Sequence, residues 1–353
     1  MKLSINQCAA AINAVGQHTT VLIEGPSGSG KSSILGMLNM PAHRKVYIDC
    51  TQIDVGDIQI PSVNHATGTS TFYPNEVFGV HGDQPVVICL DEFGKAPRSV
   101  QNALLPVVLD RRVGNRPLPR NNSVGDSVVF CTTNLSSEGV GDTLQLHVRN
   151  RMSVIAMRKP TVEEYVSYSL ANDGNPAVLA WVQETPQVLA DDDTVANPDQ
   201  NPYIWHRKDP SRKAFCSPRS MTAAGRVLND AEHLDDDTMR GLLAGLIGAR
   251  AAADLHVFVQ MGNKLPSWKA IVTSPLQAPV PDTPTMCMML VHRAITRTTE
   301  DTLDAVMMYM KRLPMELQAV FVNQFLRIPQ RAKFAALNKS FTNWCTANNW
   351  IMG

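Results

Sequence analysis

The chain has 353 residues, 44% of them hydrophobic and 18% charged, and its 32 basic residues balance 32 acidic ones. That balance excludes a standing electrostatic grip on nucleic acid spread over the whole surface, though it leaves room for a local basic patch. No apolar run approaches the ~18 residues of a membrane span, and seven singly spaced cysteines without a CxxC pair predict reduced thiols in a cytoplasmic protein.

The length suggests two or three domains at roughly 150 residues each. The N-terminal MKLSINQCAAAINAVGQ reads as an amphipathic first helix rather than a signal peptide. TTVLIEG (19–25) is a short strand ending in glycine, and KSSILGMLNM follows with helical spacing. RKVYIDC (44–50) is a second strand. Residues 51–84 dissolve into Gly, Pro, Asn, Thr and Ser, the composition of a long loop. PVVICLD (85–91) is continuously apolar, as a strand buried on both faces should be. APRSVQNALLPVVLD predicts a helix that Pro106 should kink or shorten. Residues 111–125 form a turn-rich insert with hairpin character. SVVFCTTN (127–134) and MSVIAM (152–157) supply two more strands, and Cys50, Cys89 and Cys131 are expected to be small core residues of these runs. Strand–helix alternation of this kind predicts a parallel sheet covered by helices.

After Pro160 the pattern turns helical. Thr161 with Glu164 three residues on forms a capping box, and helical spacing continues to about Gln260. Residues 191–210 read as an acidic, Asn/Pro-rich loop. Prolines at 266, 275, 279, 281 and 284 predict a linker. A Met-rich helical tail follows, in which Met286, Met288, Met289, Met307, Met308 and Met310 read as core filler, and Trp344 and Trp350 as residues that pack the tail.

Three constellations carry chemistry. Gly25-Pro26-Ser27-Gly28-Ser29-Gly30-Lys31-Ser32 fits G-x-x-x-x-G-K-[ST] in full, and Ser33 follows it. Glycines there let backbone N–H groups curl around an anion, Lys31 reaches the β- and γ-phosphates, and the Ser32 hydroxyl suits Mg²⁺, a hard cation that prefers oxygen. Asp91 and Glu92 end a buried strand, as needed for a carboxylate holding the magnesium shell and a second one polarising a water. Asn134 ends the strand VVFCTTN, where ligands bind in open α/β sheets.

The order P-loop, LDE, strand-ending TTN and an arginine pair before the last strand resembles AAA+ ATPases. More narrowly, PNEVFGVHGDQPVVICLDEFGKAPRSVQNALLPVVLDRRVG is similar to the MoxR branch, whose relatives include CbbQ, NorQ, RavA and GvpN. DEFGKAP and VQNALLPVVLDRRV fit that pattern, though Gly94-Lys95 replace its usual Asn/Arg. The likeness covers about residues 21–226, and no GAFTGA loop of transcriptional activators is present.

The resemblance implies a P-loop AAA+ core, a parallel five-stranded sheet with flanking helices (1–158), an α-helical lid (159–262), and a linker with a helical C-terminal extension (263–353). It implies Mg²⁺-dependent ATP hydrolysis with Asn134 as sensor 1, Arg151 as the arginine finger with Arg149 as alternative or second finger, and Arg219 of CSPRS as sensor 2. It further implies a ring, most often a hexamer, that remodels a partner protein, with a von Willebrand factor A cognate. The loops at 54–84 and 111–122 are candidates for the pore or partner face. Two other readings remain open: a nucleic-acid motor of McrB or phage/plasmid type, for which Arg111, Arg112, Arg116 and Arg120 make a basic insert, and a P-loop small-molecule kinase.

Overall fold

The computed structural model describes residues 1–135, 144–209, 211–230 and 233–351, with the side chains of His147 and Ile351 left aside. The chain divides into two compact units, Met1–Lys159 and Pro160–Gly353.

In the first unit the apolar runs become strands, because each can bury both faces. β1 (Val21–Gly25), β2 (Arg44–Asp49), β5 (Val86–Asp91), β10 (Val128–Asn134) and β11 (Ser153–Ala156) form one parallel sheet in the order β11-β1-β10-β5-β2. Alternate residues feed two layers. Val87 and Cys89 join Cys8, Ile12 and Ile34 on one side, while Ile88 and Leu90 join Val100, Leu104 and Val107 on the other. Each such fully buried aliphatic side chain contributes about 1.5–3 kcal/mol. Helix α1 (Ile5–Val15) covers the first layer and starts at Ser4, whose side chain shares a reciprocal cap with Gln7. Helix α4 (Arg98–Asp110) covers the second.

Three local departures from the sequence reading have physical reasons. After the glycine-rich turn the helix is short, a 3-10 turn over Lys31–Ser33 and then α2 (Ile34–Met37), with Gly36 inside it and Leu38 already extended. Residues 51–84 are not a bare loop. They hold α3 (Val55–Ile58) and an antiparallel hairpin, β3 (Gln59–Asn64) with β4 (Thr69–Pro74), turned at Gly68 with φ +63°. Pro106 does not shorten α4, since the carbonyl its missing N–H leaves unpaired belongs to Asn102, on the exposed face. The insert after α4 is two small ribbons, β6 (Arg112–Val113) with β7 (Arg116–Pro117) and β8 (Arg120–Asn121) with β9 (Gly125–Asp126).

A short helix α5 (Leu146–Arg149) precedes β11. The second unit is helical: α6 (Val162–Ala171), α7 (Pro176–Glu184), α8 (Pro218–Asn229), α9 (Asp236–Ile247), α10 (Ala249–Asn263), α11 (Trp268–Thr273), α12 (Pro284–Arg297), α13 (Leu303–Met310), α14 (Met315–Leu326), α15 (Pro329–Ala335) and α16 (Lys339–Ala347). The capping box at Thr161 is present. The proline-rich stretch still fits in a helix, α11, because its six residues lie between Pro266 and Pro275. One contiguous core runs from Tyr165 to Trp344, taking in Trp181, Met289, Met307, Met310 and Phe325. Met308 and Trp350 are exposed.

His292 on α12 is buried in that core, and burial pushes its pKa down to about 4. An unfolded histidine titrates near ~6.5, so between those values the unfolded chain binds the extra proton and stability falls as pH falls. The full effect is on the order of 3 kcal/mol. Urea unfolding of the wild type is expected to weaken between pH 7 and pH 4.5 by more than it does in His292→Leu. An equal pH dependence in both would remove this assignment.

Candidate functional site

Parallel pairing brings the chemistry to one edge. Gly25 at the end of β1 is in register with Asn134 at the end of β10, and Asp49 at the end of β2 with Asp91 at the end of β5. Because β10 lies between β1 and β5, the glycine-rich turn, Asn134 and the Asp91-Glu92 pair share the carboxyl ends of three adjacent strands.

The turn itself requires glycine at two places. Gly28 has φ +69° and Gly30 φ +96°, left-handed values that other residues adopt only at a cost. Ser29 Oγ donates to Pro26 O at 2.7 Å and ties the loop to itself. Lys31 is buried, and its Nζ donates to Gly25 O and Pro26 O, both at 2.9 Å, and to Asn134 Oδ1 at 2.5 Å. The ammonium therefore lies against the turn's own carbonyls, with Asn134 as its side-chain acceptor. Ser27 sits in the turn, and Ser33 Oγ donates to Gly30 O at 2.6 Å.

Asp91 is buried and accepts three hydroxyls. Ser32 Oγ and Tyr47 OH each donate to Oδ2 at 2.7 Å, and Thr132 Oγ1 donates to Oδ1. Among the described residues no lysine or arginine pairs with it. A carboxylate fixed by hydroxyls, beside a second carboxylate at Asp49, is an oxygen-rich, anionic donor set of the kind a small divalent cation takes. Glu92 follows in a left-handed conformation, φ +53°, with its N–H donating to Thr132 Oγ1 at 3.2 Å. Its Oε2 is buried without a hydrogen bond and lies 3.5 Å from Lys95 Nζ. The strained backbone turns this side chain away from the path of the strand.

The two arginines separate. Arg149 Nη2 donates to Glu24 Oε1 on β1 at 2.6 Å, so it is held within its own chain. Arg151 is exposed, and its side chain makes no hydrogen bond or ion pair among the described residues. Arg219 lies in the first turn of α8 in the second unit, behind the reciprocal cap of Ser217 and Ser220.

Gly25, Pro26, Gly28, Gly30, Lys31, Ser32, Asp91, Glu92 and Asn134 thus come together at one sheet edge. Tyr47, Thr132 and Glu24 belong to the same constellation and were not singled out by the sequence. A polar Thr-Thr pair inside an apolar strand is a signal for Thr132. Nothing local marks Tyr47 or Glu24, since their partners depend on strand order.

Residues 20–152 match the family model of the AAA domain (dynein-related subfamily). The matched AAA segment runs from the residue before β1 to the residue before β11, so it holds every site residue of the first unit. With the sheet order above, the first unit is a P-loop AAA+ core. No curated protein matches the chain. Among solved structures, NtrX from Brucella abortus in complex with ADP is 15% identical, covering 97% of this chain and 67% of its own, with a TM-score of 0.37. A RuvB point mutant from Thermotoga maritima is 12% identical, covering 85% and 84%, with a TM-score of 0.36. A putative ATPase from Cytophaga hutchinsonii is 12% identical, covering 85% and 79%, with a TM-score of 0.32. Superpositions this loose carry no argument about function.

Proposed function

We propose that this chain is a Mg²⁺-dependent ATPase whose sites are completed between adjoining copies in a ring, and that it uses turnover to remodel a partner protein. The observation that carries the reading is the meeting of Lys31, Asn134, Ser32 and Asp91 at the ends of adjacent parallel strands. Magnesium, when bound, would neutralise charge developing on the β- and γ-phosphate oxygens. The turn's backbone N–H groups, with Gly28 and Gly30 in left-handed conformations, are suited to bind those phosphates. Lys31 exchanges its carbonyl acceptors for phosphate oxygens. Ser32 and Asp91 hold the metal's side of the site. Glu92 takes the proton of the attacking water, and Asn134 orients that water.

Arg151 is the finger that reaches a neighbour's γ-phosphate. Arg149 is a positioning cation on Glu24, since its guanidinium already has a carboxylate partner. Arg219 serves as sensor 2 in a lid spanning 159–262, and residues 263–353 extend that lid within the same packed unit. DEFGKAP supports placement in the MoxR-like branch, and with it a hexameric, chaperone-like motor with a von Willebrand factor A cognate. No disulfide joins any of the seven cysteines, in keeping with a reducing cytoplasm. No helix of the described residues is long and apolar enough to cross a membrane.

The nucleic-acid reading is weaker. Arg112 lies 3.5 Å from Asp110 and Arg120 3.8 Å from Asp126, so two of the insert's cations face acids of their own. Arg111 is turned inward, donating to Val108 O and Gly16 O. Product analysis tests the proposal. With ATP and Mg²⁺, the purified protein is expected to release inorganic phosphate without an acceptor. A phosphorylated small molecule as the product would make it a kinase instead.

A further inference from the structure

Three hydroxyls hold Asp91, and one of them comes from outside the AAA core's recognisable motifs. Tyr47 lies on β2, one of the two edge strands of the sheet. Its neighbours Val46 and Ile48 turn into the core, so Tyr47 occupies the other face, where the residue is 49% exposed. It is in register with Cys89 on β5, and Asp91 is two residues further along that strand. A diagonal neighbour on the adjacent strand is within reach of a long aromatic side chain. The phenol closes the gap and donates to Asp91 Oδ2 at 2.7 Å.

We propose that Tyr47 is a positioning residue for the divalent-cation site, fixing the Asp91 carboxylate so that its Oδ2 accepts the Ser32 proton and leaves the serine's lone pairs toward the cation. The same oxygen receives both hydroxyls, while Thr132 holds the other oxygen. Without the phenol, Asp91 keeps Thr132 and Ser32 but loses the donor that fixes it from the sheet's edge. Groups that orient a metal's ligands typically change metal affinity by about 10–100-fold when removed. The phenol's hydrogen bond goes to the Asp91 carboxylate and not to the glycine-rich turn, so nucleotide affinity without metal should not depend on it. This inference rests on the nucleotide-binding reading above.

The test titrates a fluorescent ADP analogue into wild type and Tyr47→Phe, first in EDTA and then across a Mg²⁺ series. The expected result is equal affinity in EDTA, within about twofold, and a Mg²⁺ midpoint raised about 10-fold in the variant. Tyr47→Leu, which removes the ring as well, should shift the midpoint by the same factor. An unchanged midpoint in Tyr47→Phe overturns the proposal. So does an equal loss of affinity in EDTA, which would mark a structural role only. Wild type that binds no nucleotide in either condition would instead overturn the nucleotide reading itself, before the variant is compared.

Discussion

Glu92→Gln is expected to lower ATP turnover by about 10²–10⁴-fold, the usual contribution of a general base, while leaving ATP binding intact. The substitution preserves shape and removes only the carboxylate. Glu92 owes its position to the backbone: a left-handed turn directly after β5, an N–H donated to Thr132, and a short 3-10 turn over Phe93–Lys95 behind it. None of these involves the side chain, so glutamine should occupy the same place. The lost contact within the chain is the 3.5 Å approach of Lys95, a partly exposed pair worth under about 1 kcal/mol. Equilibrium binding and single-turnover hydrolysis separate the two effects. Unchanged turnover would remove Glu92 from the lytic role, and lost binding would mean that it supports the fold of the site instead.

Arg151→Ala should cost more, about 10³–10⁵-fold in kcat, the range for an arginine finger. A guanidinium that stabilises charge on a neighbour's phosphate has to be unspent at home. Arg149 is committed to Glu24 at 2.6 Å, whereas Arg151 is exposed and, among the described residues, makes no side-chain bond. Arg149→Ala is therefore expected to act differently: it strips Glu24 of its partner one residue before the glycine-rich turn and should loosen nucleotide binding as well as slow turnover. A larger loss of kcat in Arg149→Ala with unaltered binding would exchange the two roles.

The place of this candidate site in the fold was legible from the residues alone, because a glycine-rich turn between a strand and a helix constrains residue types tightly. A turn that needs left-handed backbone at 28 and 30 must show glycine there, and the lysine and serine must follow at fixed spacing. The strands β1, β5 and β10 were legible for a different reason: buried on both faces, they are apolar throughout most of their length. The hairpin β3–β4 was not. Its residues are mostly exposed, with Ile60, Val63, Phe72 and Tyr73 among them, so no buried face imposed a regular pattern. Tyr47 and Glu24 were hidden because their roles are set by strand order and register, which link positions as far apart as 24 and 149. Pro106 misled as to the helix's length, because a helix tolerates proline where the residue four positions back lies on its exposed face.

If each site is finished by the neighbouring copy, mixing two inactive variants shows it directly. Lys31→Ala should fail to hold nucleotide yet still offer Arg151, while Arg151→Ala should hold nucleotide yet offer no finger. Each alone is expected to be nearly inactive. Mixed in equal amounts, they should recover a readily measured fraction of wild-type phosphate release, with the Arg151→Ala sites turning over beside Lys31→Ala neighbours. Activity that stays at the sum of the two separate variants at every ratio and protein concentration would contradict hydrolysis between copies.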